Sequence, residues 1–75
     1  MRIIFSRHAK RRAELYQIPE EKVGNILGRL NFSPGEHEII QAIDGFELPI
    51  KIIVSVEGET ITVVTNYPLK KGRKK

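Results

Sequence analysis

Residues 46–56 read FELPIKIIVSV, and this stretch decides the fold class. Every second residue from Phe46 to Val56 is apolar, and a period of two is the spacing of a strand that buries one face. The stretch therefore predicts a β-strand. Pro49 cannot donate a ladder hydrogen bond, which makes it a candidate position for a bulge.

A tight turn is predicted immediately before this strand. Asp44-Gly45 is a strong signal for a two-residue hairpin, because both residue types tolerate the backbone that such turns need. The hairpin would join the strand to an earlier one over residues 37–43.

A second tight turn is predicted at Glu57-Gly58, leading into a last strand over residues 60–67 that is rich in β-branched residues. The second half of the chain is therefore expected to form a three-stranded antiparallel β-meander. In a two-residue turn at this place, Val56 would pair with Glu59. Opposed residues project to the same face, so this register puts Thr65 and Tyr67 on the apolar face beneath the helices.

Two helices are predicted in the first half, after a short strand over residues 2–5. Ser6 is placed to cap a helix over residues 7–16. One face of this helix carries Ala9, Ala13 and Tyr16 at spacings of four and three. Pro19 suits the first turn of a second helix, whose apolar face is Val23, Ile26, Leu27 and Leu30. The helices are expected to pack on one face of the sheet, which gives an α+β fold.

The length and composition predict one small domain over residues 1–69, followed by a basic tail over residues 70–75 that is expected to be disordered. The chain has no cysteine, so disulfides and thiolate metal sites are excluded. No apolar run approaches the length of a membrane span, and no signal peptide is recognisable. A cytoplasmic location without membrane contact is expected.

The charge is strongly segregated along the chain. Of the 13 basic residues, five lie in residues 1–12 and five in residues 70–75, whereas all 9 acids lie between Glu14 and Glu59. Basic ends that meet in the fold would attract polyanions such as RNA. A solvated tail and a charged helix face explain the same pattern equally well.

The first helix carries the clearest candidate chemistry. His8 and Arg12 are i, i+4 neighbours on one helix face, and Arg11 lies beside them. A histidine can transfer protons near neutral pH, and an arginine can hold a phosphate through two hydrogen bonds. This combination suits RNA cleavage by the ribose 2′-hydroxyl. An ordinary basic helix remains the alternative on spacing alone.

The last strand and the tail add weaker signals. Thr65 and Tyr67 bring two hydroxyls to the end of the strand, where they would position a phosphate or stack a base. RNA-binding residues are expected at Arg7, Arg11, Lys51, Lys70, Lys71 and Arg73. Two histidines without ligand spacing predict no metal site, and no cofactor is expected.

The Ser6-x-His8-Ala9-x-x-Arg12 opening and the Val64-Thr65-Asn66-Tyr67-Pro68 close resemble the family called domain of unknown function 4258. The segment at residues 19–23, Pro-Glu-Glu-Lys-Val, matches the start of that family's second helix. The resemblance covers about residues 3–68. It implies similarity to RelE-like and barnase-like ribonuclease toxins, with a helical half packed on an antiparallel sheet.

The resemblance implies a metal-independent ribonuclease, with His8, Arg12, Thr65 and Tyr67 as catalytic residues. Its partners would be RNA or the ribosome, and an antitoxin protein; the chain would be a monomer or a homodimer. The alternatives are a non-catalytic module that binds RNA or the ribosome, and a protein-interaction domain.

Overall fold

The computed structural model describes residues 2–69. The element order is β1 (Arg2–Phe5), α1 (Arg7–Tyr16), α2 (Glu20–Gly28), β2 (Gly35–Gln41), β3 (Ile50–Glu57) and β4 (Thr60–Pro68). The predicted α+β class and the element order are confirmed. The basic tail, with Lys70, Lys71 and Arg73, lies outside the described residues.

The four strands form one mixed sheet in the order β1-β4-β3-β2. The meander from β2 to β4 is antiparallel, as predicted. β1, however, pairs in parallel with the first half of β4, with Arg2 opposite Thr60 and Phe5 opposite Val63. The expectation of a purely antiparallel sheet is therefore wrong, because the two helices lead from β1 to β2 at the opposite edge of the sheet, and β1, β2 and β4 all run in the same direction.

The two-residue hairpin predicted at Asp44-Gly45 is wrong. β2 ends at Gln41, which pairs with Ile50, and residues 42–49 form the connection. A turn does lie at Asp44-Gly45, where Gly45 has φ 91° and the Phe46 N–H donates to the Ile43 carbonyl. β3 starts only after Pro49, which cannot donate a ladder bond.

The turn predicted at Glu57-Gly58 is displaced by one residue, to Gly58-Glu59. Glu57 pairs with Thr60 and Val56 pairs with Ile61, so the predicted pairing of Val56 with Glu59 is wrong by two residues. Gly58 has φ 59°, a backbone conformation that glycine adopts readily.

A bulge in β4 decides which side chains reach the core. Val54 pairs with Val63 but Ile53 pairs with Thr65, so Val64 is an extra residue without a partner in the ladder. The alternation shifts by one residue after it, and Asn66 pairs with Ile52. The bulge predicted at Pro49 is thus wrong, and a bulge lies at Val64 instead.

We call the face of the sheet that carries Ile50, Ile52, Val54 and Val56 the inner face, and the opposite one the outer face. Thr65 and Tyr67 lie opposite Ile53 and Lys51, on the outer face. The prediction that they continue the apolar face beneath the helices is wrong, because Val64 reverses their direction.

The core lies between the inner face and one side of each helix. Its fully or nearly fully buried members are Ala9, Ala13, Ile18, Val23, Leu27, Ile43, Ile50, Ile52, Val54, Val56, Ile61 and Val63. Tyr16 and Leu30, which were predicted to belong to the apolar helix faces, are exposed. Neither of the two helices within residues 2–69 has the length and apolarity that crossing a membrane requires.

Candidate functional site

Helix α1 begins where β1 ends and takes over as the neighbour of β4. The Ser6 hydroxyl accepts a hydrogen bond from the Ala9 N–H at 3.0 Å, which is the predicted cap. The same hydroxyl donates to the Val64 carbonyl at 2.9 Å. Ser6 therefore fastens the first turn of α1 to the bulge.

A second contact shows the direction in which α1 runs. The side-chain amide of Asn66 donates to the Ala9 carbonyl at 3.3 Å. Residue 6 thus meets residue 64 and residue 9 meets residue 66, so helix and strand run the same way. The second half of β4 has α1 along the side where the first half has β1.

Because α1 lies at the edge of the sheet, it reaches both faces. Ala9 and Ala13 are buried in the core on the inner side. His8, Arg12 and Tyr16, which follow one another at a spacing of four, line a groove together with residues of the outer face. One helix therefore contributes to the core and to an open surface site.

The groove has a volume of about 710 Å³, a size typical of small-ligand sites. Its lining consists of one helix face and the ends of two strands: His8, Arg12, Tyr16, Ile53, Thr65, Tyr67, Pro68 and Leu69. A basic group, an imidazole, three hydroxyls and several apolar side chains are thereby gathered in one place.

The structure brings together His8, Arg12, Thr65 and Tyr67, the four residues predicted to be catalytic. Their meeting follows from the position of α1 at the sheet edge, since both strand residues lie on the outer face. The other predicted site residues within residues 2–69, Arg7, Arg11 and Lys51, do not line the groove.

Arg12 is half-buried, and its Nη1 donates to the Tyr16 hydroxyl at 3.4 Å. This contact holds the guanidinium along the helix face without occupying its other N–H groups. A phosphate in the groove would still find several donors on Arg12.

Lys51 is already paired on the outer face. Its Nζ lies 2.8 Å from Glu38 Oε2 on the neighbouring strand β2. The hydrogen bond to Glu38 raises the pKa of Lys51, and the charge of Glu38 and the hydroxyl of Tyr67, its cross-strand neighbour, act in the same direction. Lys51 therefore stands beside the groove as part of a neutral pair.

Asn66 is the buried polar residue of this region, with no exposed surface. Its amide nitrogen is satisfied by Ala9, and within residues 2–69 its Oδ1 has no hydrogen-bond partner. Turning the amide over would set two oxygens against each other, so the observed orientation is the favoured one. Asn66 contributes to the position of α1 rather than to the groove.

Sequence reasoning missed Tyr16, Ile53, Pro68 and Leu69 as groove residues. A signal for Tyr16 was present, because positions 8, 12 and 16 share the four-residue spacing that linked His8 to Arg12. Ile53 gave no signal, since its outward direction depends on the strand register.

The second histidine is engaged elsewhere. His37 Nε2 lies 2.7 Å from the Ser33 carbonyl, and its ring packs 5.1 Å from that of Phe32. Nowhere in residues 2–69 do three His, Asp or Glu side chains cluster in a way that would hold a metal ion.

Comparisons of the chain with protein-family models, with curated proteins and with solved structures find no match.

Proposed function

We propose that this chain is a ribonuclease that cleaves RNA by attack of the ribose 2′-hydroxyl on the adjacent phosphate, without a metal ion. The observation that carries the proposal is the meeting of His8, Arg12, Thr65 and Tyr67 in one groove. In this reaction the bond from 2′-oxygen to phosphorus forms and the bond to the 5′-oxygen breaks. A base takes the 2′ proton, and an acid supplies one to the leaving oxygen.

Arg12 would hold the reacting phosphate. Its guanidinium presents planar, paired donors that match two phosphate oxygens, and within residues 2–69 the contact to Tyr16 is the one hydrogen bond that they make. The pentavalent intermediate carries more negative charge than the substrate. A cation fixed before the reaction therefore stabilises the transition state more than the ground state.

His8 would move the protons. It is exposed in the first turn of α1, one helical turn before Arg12, and it lines the groove. An imidazole both accepts and donates a proton near neutral pH. His8 would thus transfer protons at the same phosphate that Arg12 holds.

Thr65 and Tyr67 would position the RNA. Their side chains lie on the outer face, two residues apart on β4, and both line the groove. Lys51 lies opposite Tyr67 on the neighbouring strand and is paired with Glu38. We therefore revise the role of Lys51 from a direct phosphate contact to a neighbour of Tyr67.

The decisive experiment compares Arg12→Ala with Arg11→Ala in an RNA cleavage assay with excess chelator. Both variants lose one arginine from α1, but only Arg12 lines the groove. We expect Arg12→Ala to lower cleavage by about 10²-fold and Arg11→Ala to change it much less. Equal activity in the two variants would remove Arg12 from the mechanism.

His8→Ala, with His37→Ala as its matched control, tests proton transfer in the same assay. We expect a loss of about 10²-fold from His8→Ala alone. The products should end in a 2′,3′-cyclic phosphate, and a substrate with 2′-deoxyribose at the cleavage position should resist. Cleavage of that substrate at the normal rate would exclude the 2′-hydroxyl as nucleophile.

A second candidate function is RNA or ribosome binding without cleavage. It is favoured by Arg7, Lys10 and Arg11, which α1 exposes to solvent outside the groove. In this case, removing these charges weakens binding and reduces its salt dependence, whereas His8→Ala changes nothing. Wild-type binding with no cleavage, on ribosomes as well as on free RNA, would favour this function.

An antitoxin partner belongs to the same proposal, because it rests on the resemblance to ribonuclease toxins. Co-purification of a second protein with the native chain, and release of nuclease activity when it is removed, would support it. A cytoplasmic location is also proposed, since RNA and ribosomes are found there.

A further inference from the structure

Both tyrosines of the chain line the groove, and the chain has no tryptophan. Tyr67 was expected there from the motif, whereas Tyr16 enters only through the position of α1. Tyr16 is 36% exposed, so its side chain lines the groove at the surface and is not buried in the core.

The place of Tyr16 along the groove follows from the shared direction of α1 and β4. From Ala9 to Tyr16 a helix advances about 10 Å, and from Asn66 to Leu69 a strand also advances about 10 Å. Since Ala9 is bonded to Asn66, Tyr16 lies level with the end of the strand, near Pro68 and Leu69.

The groove therefore has two chemically different ends. His8 and Thr65, with Ile53 opposite Thr65, lie at the end that carries an imidazole and a hydroxyl, and Tyr16, Pro68 and Leu69 form an aromatic and apolar end. Arg12 stands between them and donates to the Tyr16 hydroxyl. One nucleotide carries the same two chemistries, an anionic phosphate and a flat, largely apolar base.

We infer that Tyr16 and Tyr67, with Pro68 and Leu69, form a subsite for one unpaired nucleobase beside the phosphate that Arg12 holds. The inference rests on the proposed function and adds a residue and a preference to it. A base within a duplex is already stacked and paired, so this subsite selects single-stranded nucleic acid.

The test uses the ring signals of the two tyrosines in NMR spectra of the whole chain. The probe is a short 2′-O-methyl oligouridine, which cannot be cleaved because its 2′-oxygen is blocked. The same backbone without bases, and a hairpin duplex, serve as comparisons. A stacked base moves the ring signals through its own ring current, and the abasic strand measures the shifts that phosphate binding alone produces.

We expect the oligouridine to shift the signals of Tyr16 and Tyr67 and to bind roughly 10-fold more tightly than the abasic strand, since stacking of one base on an aromatic ring strengthens binding by about that much. Tyr16→Leu should remove this preference, and Tyr16→Phe should keep most of it. Leu15→Ala, which alters an exposed neighbour outside the groove, should leave it unchanged.

Equal affinity for the abasic strand, or unmoved Tyr16 signals, would overturn the inference. Cleavage of ordinary RNA is measured in parallel. A chain that cleaves RNA but ignores the base keeps the proposed function and loses the subsite. A chain that stacks the base but cleaves no RNA keeps the subsite and loses the nuclease.

Discussion

The first half of β4, from Thr60 to Val63, has a strand on each side, whereas the second half, from Thr65 to Pro68, has β3 on one side and α1 on the other. In the first half, Ile61 and Val63 enter the core and the outer face stays flat. In the second half, Asn66 enters the core, and α1 borders the outer face with His8, Arg12 and Tyr16.

The difference shows how a flat sheet acquires a site. A neighbouring strand lies in the plane of the sheet, but a helix is about 10 Å wide and rises above both faces. The change from β1 to α1 at Ser6 therefore creates the groove. Val64 matters equally, since its extra residue turns Thr65 and Tyr67 toward that wall.

Insertion of one alanine after Val64 should break the comparison most severely. The side chain of Val64 is exposed, so the residue contributes through the backbone count rather than through packing. With one more residue and the same single-residue bulge, every later residue moves one place along the ladder. Thr65 and Tyr67 then turn toward the core, and Asn66 turns out of it. We expect destabilisation by more than about 4 kcal/mol in urea unfolding monitored by circular dichroism.

Val64→Ala is the matched control, because it keeps the residue count and removes only an exposed side chain. Its free energy of unfolding should stay within about 1 kcal/mol of the parent chain. An insertion as mild as this substitution would show that the residue count at the bulge does not fix the two faces.

Alanine substitutions at Ile61 and Thr65 should measure the two halves separately. Ile61 is fully buried, and Ile61→Ala should cost about 2–5 kcal/mol through lost burial and a cavity. Thr65 lies on the outer face, and Thr65→Ala should cost less than about 1 kcal/mol while lowering RNA cleavage. Similar unfolding free energies for both variants would contradict the assignment of faces.

Ser6→Ala tests the junction between the two halves. It removes the cap on Ala9 and the hydrogen bond to the Val64 carbonyl, so we expect a loss of about 1–2 kcal/mol. Ser6→Thr keeps both interactions and should be nearly neutral. If Thr and Ala lose the same stability, the hydroxyl does not hold α1 to β4.

The smallest effect is expected from the Lys51–Glu38 pair beside the second half of β4. The hydrogen bond to Glu38 raises the pKa of Lys51, so the pair stabilises the fold below the ordinary value of 10.5, and this contribution is lost as the pH rises through the higher folded value. The stability difference between the parent chain and Glu38→Gln should therefore shrink above pH 10.5. If the stability difference stays constant up to pH 12, the charge of Lys51 does not contribute to it.

Features with a local signal could be predicted from the sequence. α1 runs over the predicted residues 7–16, because Ser6 caps one end and Pro19 prevents continuation soon after the other. The alternation in residues 50–56 likewise identified β3. In these places the responsible residues lie close together in the chain.

Features that depend on distant pairing could not be predicted. Val63, Val64 and Thr65 are all β-branched, so the sequence shows no break where the bulge lies. The four proposed catalytic residues line one groove, but Thr65 and Tyr67 do so from the outer face and not, as expected, from the face beneath the helices. The parallel pairing of β1 with β4 had no local signal, and this pairing sets α1 along the edge.

That pairing also determines when the groove can form. β1 and α1 come early in the chain, whereas β4 comes after both helices and the other two strands, so closing the sheet requires contacts between residues nearly 60 positions apart. Such long-range contacts slow folding relative to local ones, because the chain loses conformational entropy before these contacts begin to stabilise it. During synthesis, His8 and Arg12 leave the ribosome long before Thr65 and Tyr67. A nascent chain thus carries one wall of the groove and acquires the other only when β4 has emerged.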